Sequence, residues 1–199
     1  MVDLWWLPLG AGGRFVRFNG RAYEALVARM QRRPPRDLYH AALELRADGQ
    51  RWVIEMAPAW DGAGGGSGGR GVVAEGPVGT RRAGRLRLFR YEIRRWRGGE
   101  IPDLAEAVGS PRRISGDEDA ARRLLALVPQ VPTHVWGRDE LGAGDMWNSN
   151  SVVAWLLVRG GLDAAAVRPP VGGRAPGWRA GLVAAAGGAT RPARRTRSA

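Results

Sequence analysis

Asn148-Ser149-Asn150 sits where a polar run beginning at Asp145 passes into Ser151-Val152-Val153-Ala154-Trp155-Leu156-Leu157-Val158, the most apolar helix-length stretch of the chain. A helix so uniformly apolar belongs in a core. Its first turn offers unpaired backbone N–H groups and the positive end of the helix dipole. A hydroxyl placed there stands beside a ready-made anion hole and can act as a nucleophile. Ser149 is that hydroxyl. The same four residues, Asn, Ser, Asn and Ser, are also those that cap helices, and capping alone accounts for their presence. A serine attacks only when a base takes its proton, and the base needs a third group to hold its tautomer. His40 supplies the candidate base and Glu55 its partner, while Asn148 and Asn150 can donate to an oxyanion or orient the imidazole. His134, in Pro132-Thr133-His134-Val135-Trp136, is the competing base.

His40 and Glu55 are related through a hairpin. The β-like runs Leu38–Leu45 and Arg51–Met56 flank Ala47-Asp48-Gly49-Gln50, where Asp-Gly supplies the positive φ angles of a two-residue type I′ turn. Pairing Ala47 with Gln50 and counting back sets Glu44 opposite Val53, Ala42 opposite Glu55 and His40 opposite Ala57. Alternation then gives His40, Ala42, Glu44, Val53 and Glu55 a common face. Glu55 lies diagonal to His40, a backbone separation of roughly 7–8 Å that a glutamate side chain spans.

Around these elements the chain reads in order. Arg14–Phe18 is a short strand closed by Asn19-Gly20, and Tyr23, Leu26, Val27 and Met30 recur at helical spacing until Pro34-Pro35 stops the helix. A glycine-rich loop follows at residues 62–71. Arg85 to Trp96 is a longer strand whose apolar phase shifts near Leu88-Phe89, the mark of a bulge. Its Arg85, Arg87, Arg90 and Arg94 form a solvated face, or else an anion-binding one. Pro102 to Val108 suits a helical turn. Ser115 to Glu118 resembles a capping box ahead of an amphipathic helix carrying Ala121, Leu124, Leu125 and Val128. A loop from Pro129 to Gly144 leads into the apolar helix of residues 151–158, which ends at Gly160-Gly161. Pro169-Pro170 and Gly172-Gly173 exclude regular structure there, and Trp178 packs back on the domain. The expected architecture is α+β, one domain over residues 1–186, with a mainly antiparallel sheet packed on helices. Residues 187–199, small and basic, form a disordered tail.

Composition limits the function classes. All 31 basic residues are arginine against 19 acidic ones, for a net charge of +12. That arginine usage matches the coding bias of a GC-rich genome, yet the charge still draws phosphates, anionic lipid and acidic partners. The absence of cysteine removes disulfides and thiol nucleophiles. Two histidines and scattered carboxylates make no metal-ligand spacing, and no phosphate-cradling glycine motif occurs, so neither a metal nor a cofactor is implied. The start of the chain lacks a signal peptide and no apolar run reaches membrane-spanning length, so a cytoplasmic protein without a membrane span is expected.

The strand histidine in Tyr39-His40-Ala41-Ala42-Leu43-Glu44-Leu45, with Asn148-Ser149-Asn150 opening an apolar helix much later, resembles the circularly permuted papain-like superfamily. That group includes NlpC-type peptidases, PPPDE-type peptidases and lecithin retinol acyltransferase-like enzymes. The resemblance spans residues 37–57 and 145–159. It implies a papain-like fold, His40 as base, Ser149 at the nucleophile position usually held by cysteine, and an amide, ester or peptide ligand. With serine for cysteine, it implies a hydrolase or acyltransferase relative, active or inactive. The alternative is a non-enzymatic module that binds nucleic acid or another polyanion through its arginine surface and the tail residues Arg191, Arg194, Arg195 and Arg197.

Overall fold

Asp48 and Gly49 both take positive φ, 53° and 67°, so the Asp-Gly turn closes the hairpin as its chemistry requires. The computed structural model describes residues 1–9, 24–25, 28–30, 32–59, 71–101 and 104–187. The hairpin strands are β2 (Tyr39–Ala47) and β3 (Gln50–Pro58), and they join β1 (Val2–Pro8), β4 (Val72–Pro77), β5 (Arg90–Arg97) and β6 (Arg112–Ser115). Together they make a six-stranded sheet in the order β4-β5-β3-β2-β1-β6, every pairing antiparallel. The helices are α1 (Glu118–Leu127), α2 (Ser149–Arg159) and α3 (Trp178–Gly187), with residues 24–25 and 28–30 also helical. The class is α+β, as expected.

Strand alternation sorts the sheet into two unlike faces. One presents Leu4, Trp6, Leu43, Leu45, Ile54, Met56, Tyr91 and Ile93 to Leu124 of α1 and to Val153, Leu156 and Leu157 of α2, forming the main core. Burying a side chain of this size stabilises by roughly 1.5–3 kcal/mol. The other face carries a small apolar cluster of Leu7, Ala42, Val53 and Ile101. The buried Asp3, Glu44, Glu55, Glu92 and Arg94 share the strand phase of that second face.

Every residue of α2 from Ser149 to Leu157 is buried, so the helix runs through the core rather than along the surface. Its tightest helix neighbour is α3, whose Gly181 packs so close that a Cβ there would lie 2.3 Å from the Ser151 carbonyl oxygen. The sequence reading anticipates only that Trp178 packs back. Trp178 does so, stacking obliquely on Trp6 at 5.5 Å and donating its indole N–H to Ala164 O, and it also opens α3. Small residues, not an apolar stripe, let α3 approach α2, and that signal is weak in sequence.

Other expectations shift. The strand anticipated from Arg85 starts at Arg90. Residues 83–85 and 87–89 are two 3-10 turns, so no bulge forms at Leu88-Phe89. The apolar helix face assigned to Met30 is wrong at that residue: Met30 is 76% exposed, while Ala28 and Glu24 are buried. Two arginines make Glu24 burial tolerable, Arg33 at its carboxylate and Arg174 at 3.0 Å. Ser115 does not cap α1. Asp117 does, accepting from Asp119 N–H and Ala120 N–H, while Glu118 accepts from Asp48 N–H and ties the hairpin turn to the helix. The strand at 14–18, the helix positions Tyr23, Leu26 and Val27, most of the glycine-rich loop and residues 188–199 lie outside the described residues. Among the described residues no helix is long and apolar enough to cross a membrane.

Candidate functional site

The cap of α2 is a closed set of side-chain bonds. Asn148 Oδ1 accepts from Asn150 N–H at 2.9 Å, and Ser151 Oγ accepts from Asn148 N–H at 3.0 Å, the reciprocal arrangement of a capping box. Ser151 Oγ donates onward to Gly177 O at 2.7 Å, and Asn148 Nδ2 donates to Pro176 O at 2.9 Å. Gly177, at φ 89°, approaches so closely that a Cβ would lie 2.1 Å from Asn148 Oδ1. The Asp145 carboxylate accepts from the backbone N–H groups of Met146, Gly177 and Arg179, which pins the start of α3 to the start of α2. Burial pushes the Asp145 carboxyl above its ordinary range, a tendency its N–H partners oppose.

Asn150 links this cap to the sheet. Its amide donates to Tyr39 O at 2.9 Å and Pro176 O at 2.7 Å, and its Oδ1 accepts from Ala41 N–H at 2.8 Å. Those groups flank His40 on β2. The hairpin pairs observed run only from Ala47–Gln50 to Leu43–Ile54, so the anticipated pairs Ala42–Glu55 and His40–Ala57 do not form. Beyond Leu43, Asn150 serves the β2 backbone as a strand would, and Tyr39 N–H bonds Arg174 O. β3 continues along β5 as far as Pro58–Tyr91. The helix start, with Ser149 in its first turn, is thereby held beside the backbone of His40.

The side chains expected to cooperate are less united than the backbone. Among the described residues no hydrogen bond joins His40 to Ser149 or to Glu55, and none engages the Ser149 hydroxyl. Tyr39, Ala41, Leu43 and Leu45 carry the face of β2 that meets α2, so alternation sets His40 with Ala42 on the other phase. Glu55 is not the orienting acid. It pairs with Arg94 Nη1 at 3.3 Å, and Arg94, fully buried, also donates through Nε to Glu92 at 2.9 Å. The arginine face read from Arg85, Arg87, Arg90 and Arg94 is therefore corrected at Arg94, which is an interior group, while Arg90 stays partly exposed and pairs with Glu75 at 3.0 Å. Nor are the two asparagines oxyanion donors: both amides are engaged with backbone carbonyls. Their structural role is what capping chemistry suggests, but the reach of Asn150 to β2 depends on tertiary contact and has no local signature.

His134, the competing base, sits in the loop before α2. Its ring meets Trp147 edge-on at 4.8 Å, and Nδ1 lies 3.4 Å from Glu140, which Arg81 also grips. The neighbouring His134 carbonyl accepts from the buried Tyr91 hydroxyl at 2.8 Å. Among the described residues no group of three or more His, Asp or Glu side chains is arranged to hold a metal ion.

The His40 imidazole is depressed to about 4 by burial, although the residue as a whole keeps some solvent contact. It is therefore neutral near pH 7. The folded value lies below the unfolded one of 6.5, so the unfolded chain binds the proton first, and stability falls as pH drops from about 6.5 towards 4. The whole shift corresponds to about 3 kcal/mol, and solvent contact reduces this to roughly 1–3 kcal/mol. Urea unfolding of the wild type and His40→Asn from about pH 7 to pH 4.5 should show the wild type losing that much more. Parallel curves would refute the burial of the ring.

Fold and site together define an α+β protein whose buried helix is stitched by one asparagine into its own antiparallel sheet. Compared with protein-family models, curated proteins and solved structures, the chain matches none.

Proposed function

We propose that the start of α2 and His40 form a permuted papain-like site in which Ser149 stands in the nucleophile position, and that the site binds an amide, ester or peptide ligand without efficient turnover. One observation carries the reading: the Asn150 clamp on Tyr39 O and Ala41 N–H, which holds the helix start against the β2 backbone on either side of His40. The dipole of α2 favours an anion or a developing thiolate at position 149. Three features argue against turnover. A serine hydroxyl is far harder to ionise than a thiol, Glu55 serves Arg94 instead of His40, and the flanking amides are occupied.

The test uses Ser149→Cys, which is the sole thiol in a chain without cysteine. Its reaction with a small alkylating reagent should proceed with an apparent thiol pKa below the usual ~8.5. At neutral pH the rate should exceed that of Ser110→Cys, an exposed loop position, and should drop when His40 is also replaced by Ala. Meanwhile the wild type should hydrolyse an activated ester no faster than His40→Ala. A thiol pKa at the ordinary value, or a rate indifferent to His40, removes the reading and leaves Ser149 as part of a helix start alone.

A further inference from the structure

The connection between β4 and β5 has no part in the site at α2. Its two 3-10 turns expose five consecutive residues, Arg85-Leu86-Arg87-Leu88-Phe89, in which cations and large apolar groups are interleaved. Leu86, Leu88 and Phe89 are 63%, 58% and 40% exposed, three of the eight large apolar side chains that the described residues leave open. Such clustering of large apolar groups at one surface point marks a contact surface. Five arginines surround it, and two are already neutralised, Arg81 by Glu140 and Arg90 by Glu75. Arg87 is 3.9 Å from Glu92, a carboxylate that Arg94 already engages. Arg82 and Arg85 have no partner among the described residues. The patch thus pairs excess positive charge with apolar tips, and the carboxylates beside it among the described residues, Glu75, Glu92 and Glu140, each face an arginine.

We infer that residues 82–89 dock the protein peripherally on an anionic lipid bilayer, the guanidinium groups at the headgroups and Leu86, Leu88 and Phe89 in the acyl boundary. This rests on a different surface from the proposed papain-like site and does not depend on it. The alternation of aliphatic and cationic groups selects this occupant. A bilayer offers both a negative surface potential and an apolar layer a few ångströms below it. A nucleic acid offers phosphates to arginine and stacking to aromatic rings, but nothing to bury two leucines.

The full chain is tested on vesicles of phosphatidylcholine alone and with about one third phosphatidylserine. Leu88→Cys, unique in a chain without cysteine, carries an environment-sensitive dye. Co-sedimentation is expected with the anionic vesicles only, together with a blue-shifted, brighter dye, and both should weaken in high salt. Replacing Leu86, Leu88 and Phe89 by Ser, or Arg82, Arg85 and Arg87 by Gln, should each reduce binding at least tenfold, with an unchanged unfolding midpoint. Binding that ignores the apolar substitutions, equal binding to neutral vesicles, or an equal dye response to duplex DNA would each overturn the inference.

Discussion

Asn150→Ala is expected to destabilise the fold by about 3–5 kcal/mol. The substitution removes the only side chain among the described residues that satisfies Tyr39 O and Ala41 N–H at the end of β2, in a position that is 1% exposed. Each stranded backbone group costs roughly 1–3 kcal/mol, and the vacated volume adds to it. Pro176 O loses one of two donors and retains Asn148. For a chain of this size the loss lowers the thermal midpoint by about 10 °C. Amide exchange locates the damage: Ala41 N–H should exchange faster by more than the change in global stability, whereas Leu43, paired with Ile54 in the hairpin, should follow global stability alone. Asn150→Asp keeps the shape but turns a donor into an anion facing two carbonyl oxygens, so it should be at least as harmful at neutral pH. A cost below about 1 kcal/mol for the alanine variant would mean that water replaces the amide and that α2 is held to β2 by apolar packing instead.

Arg94→Met is expected to cost a similar amount, about 3–5 kcal/mol, for a different reason. Arg94 is fully buried between Glu55 and Glu92, both of them nearly so, and pairs with both carboxylates. Removing one member of a buried ion network leaves charge in a poorly solvating interior. The interpretation is checked by rescue: Arg94→Met combined with Glu55→Gln and Glu92→Gln should recover most of the loss, because a neutral set of similar volume avoids the desolvation of charge altogether. Chemical unfolding of the single and triple variants measures both. If the triple variant is no better than the single, the loss is one of packing, and the stem of Arg94, not its charge, is what the sheet needs. The Trp96 ring, 5.6 Å from the Arg94 guanidinium, adds to that packing.

The two positions show why the candidate site was only half legible from sequence. Asn148 and Ser151 as caps, and α2 as a core helix, follow from residue preferences and apolar content alone, and the geometry agrees. Glu55 becomes the partner of His40 only if the hairpin register extends past its observed end. The hairpin holds that register from Ala47–Gln50 to Leu43–Ile54 and no further, because Asn150, distant in sequence, takes over the β2 backbone. Arg94 reads as solvent-facing from sequence because a strand face of arginines is ordinarily wet. Its neighbours Glu55 and Glu92 come together only once β3 and β5 pair across the glycine-rich stretch between them.

What the amino-acid sequence determined by itself is therefore whatever depends on a few adjacent residues. The positive φ angles at Asp48 and Gly49, the two-residue alternation of β2 and β3, the capped and apolar α2 and the α+β class all belong to this group. The tertiary structure alone decided the strand order, the inclusion of Val2–Pro8 between β2 and β6, the packing of the small-residue helix α3 and the partners of Glu55, Arg94 and Asn150. Local conformational energies are set within a turn or a strand pair and leave their mark in residue type and spacing. The choice of a distant partner instead minimises unsatisfied polar groups and empty volume over the whole core, a condition that no short segment can express.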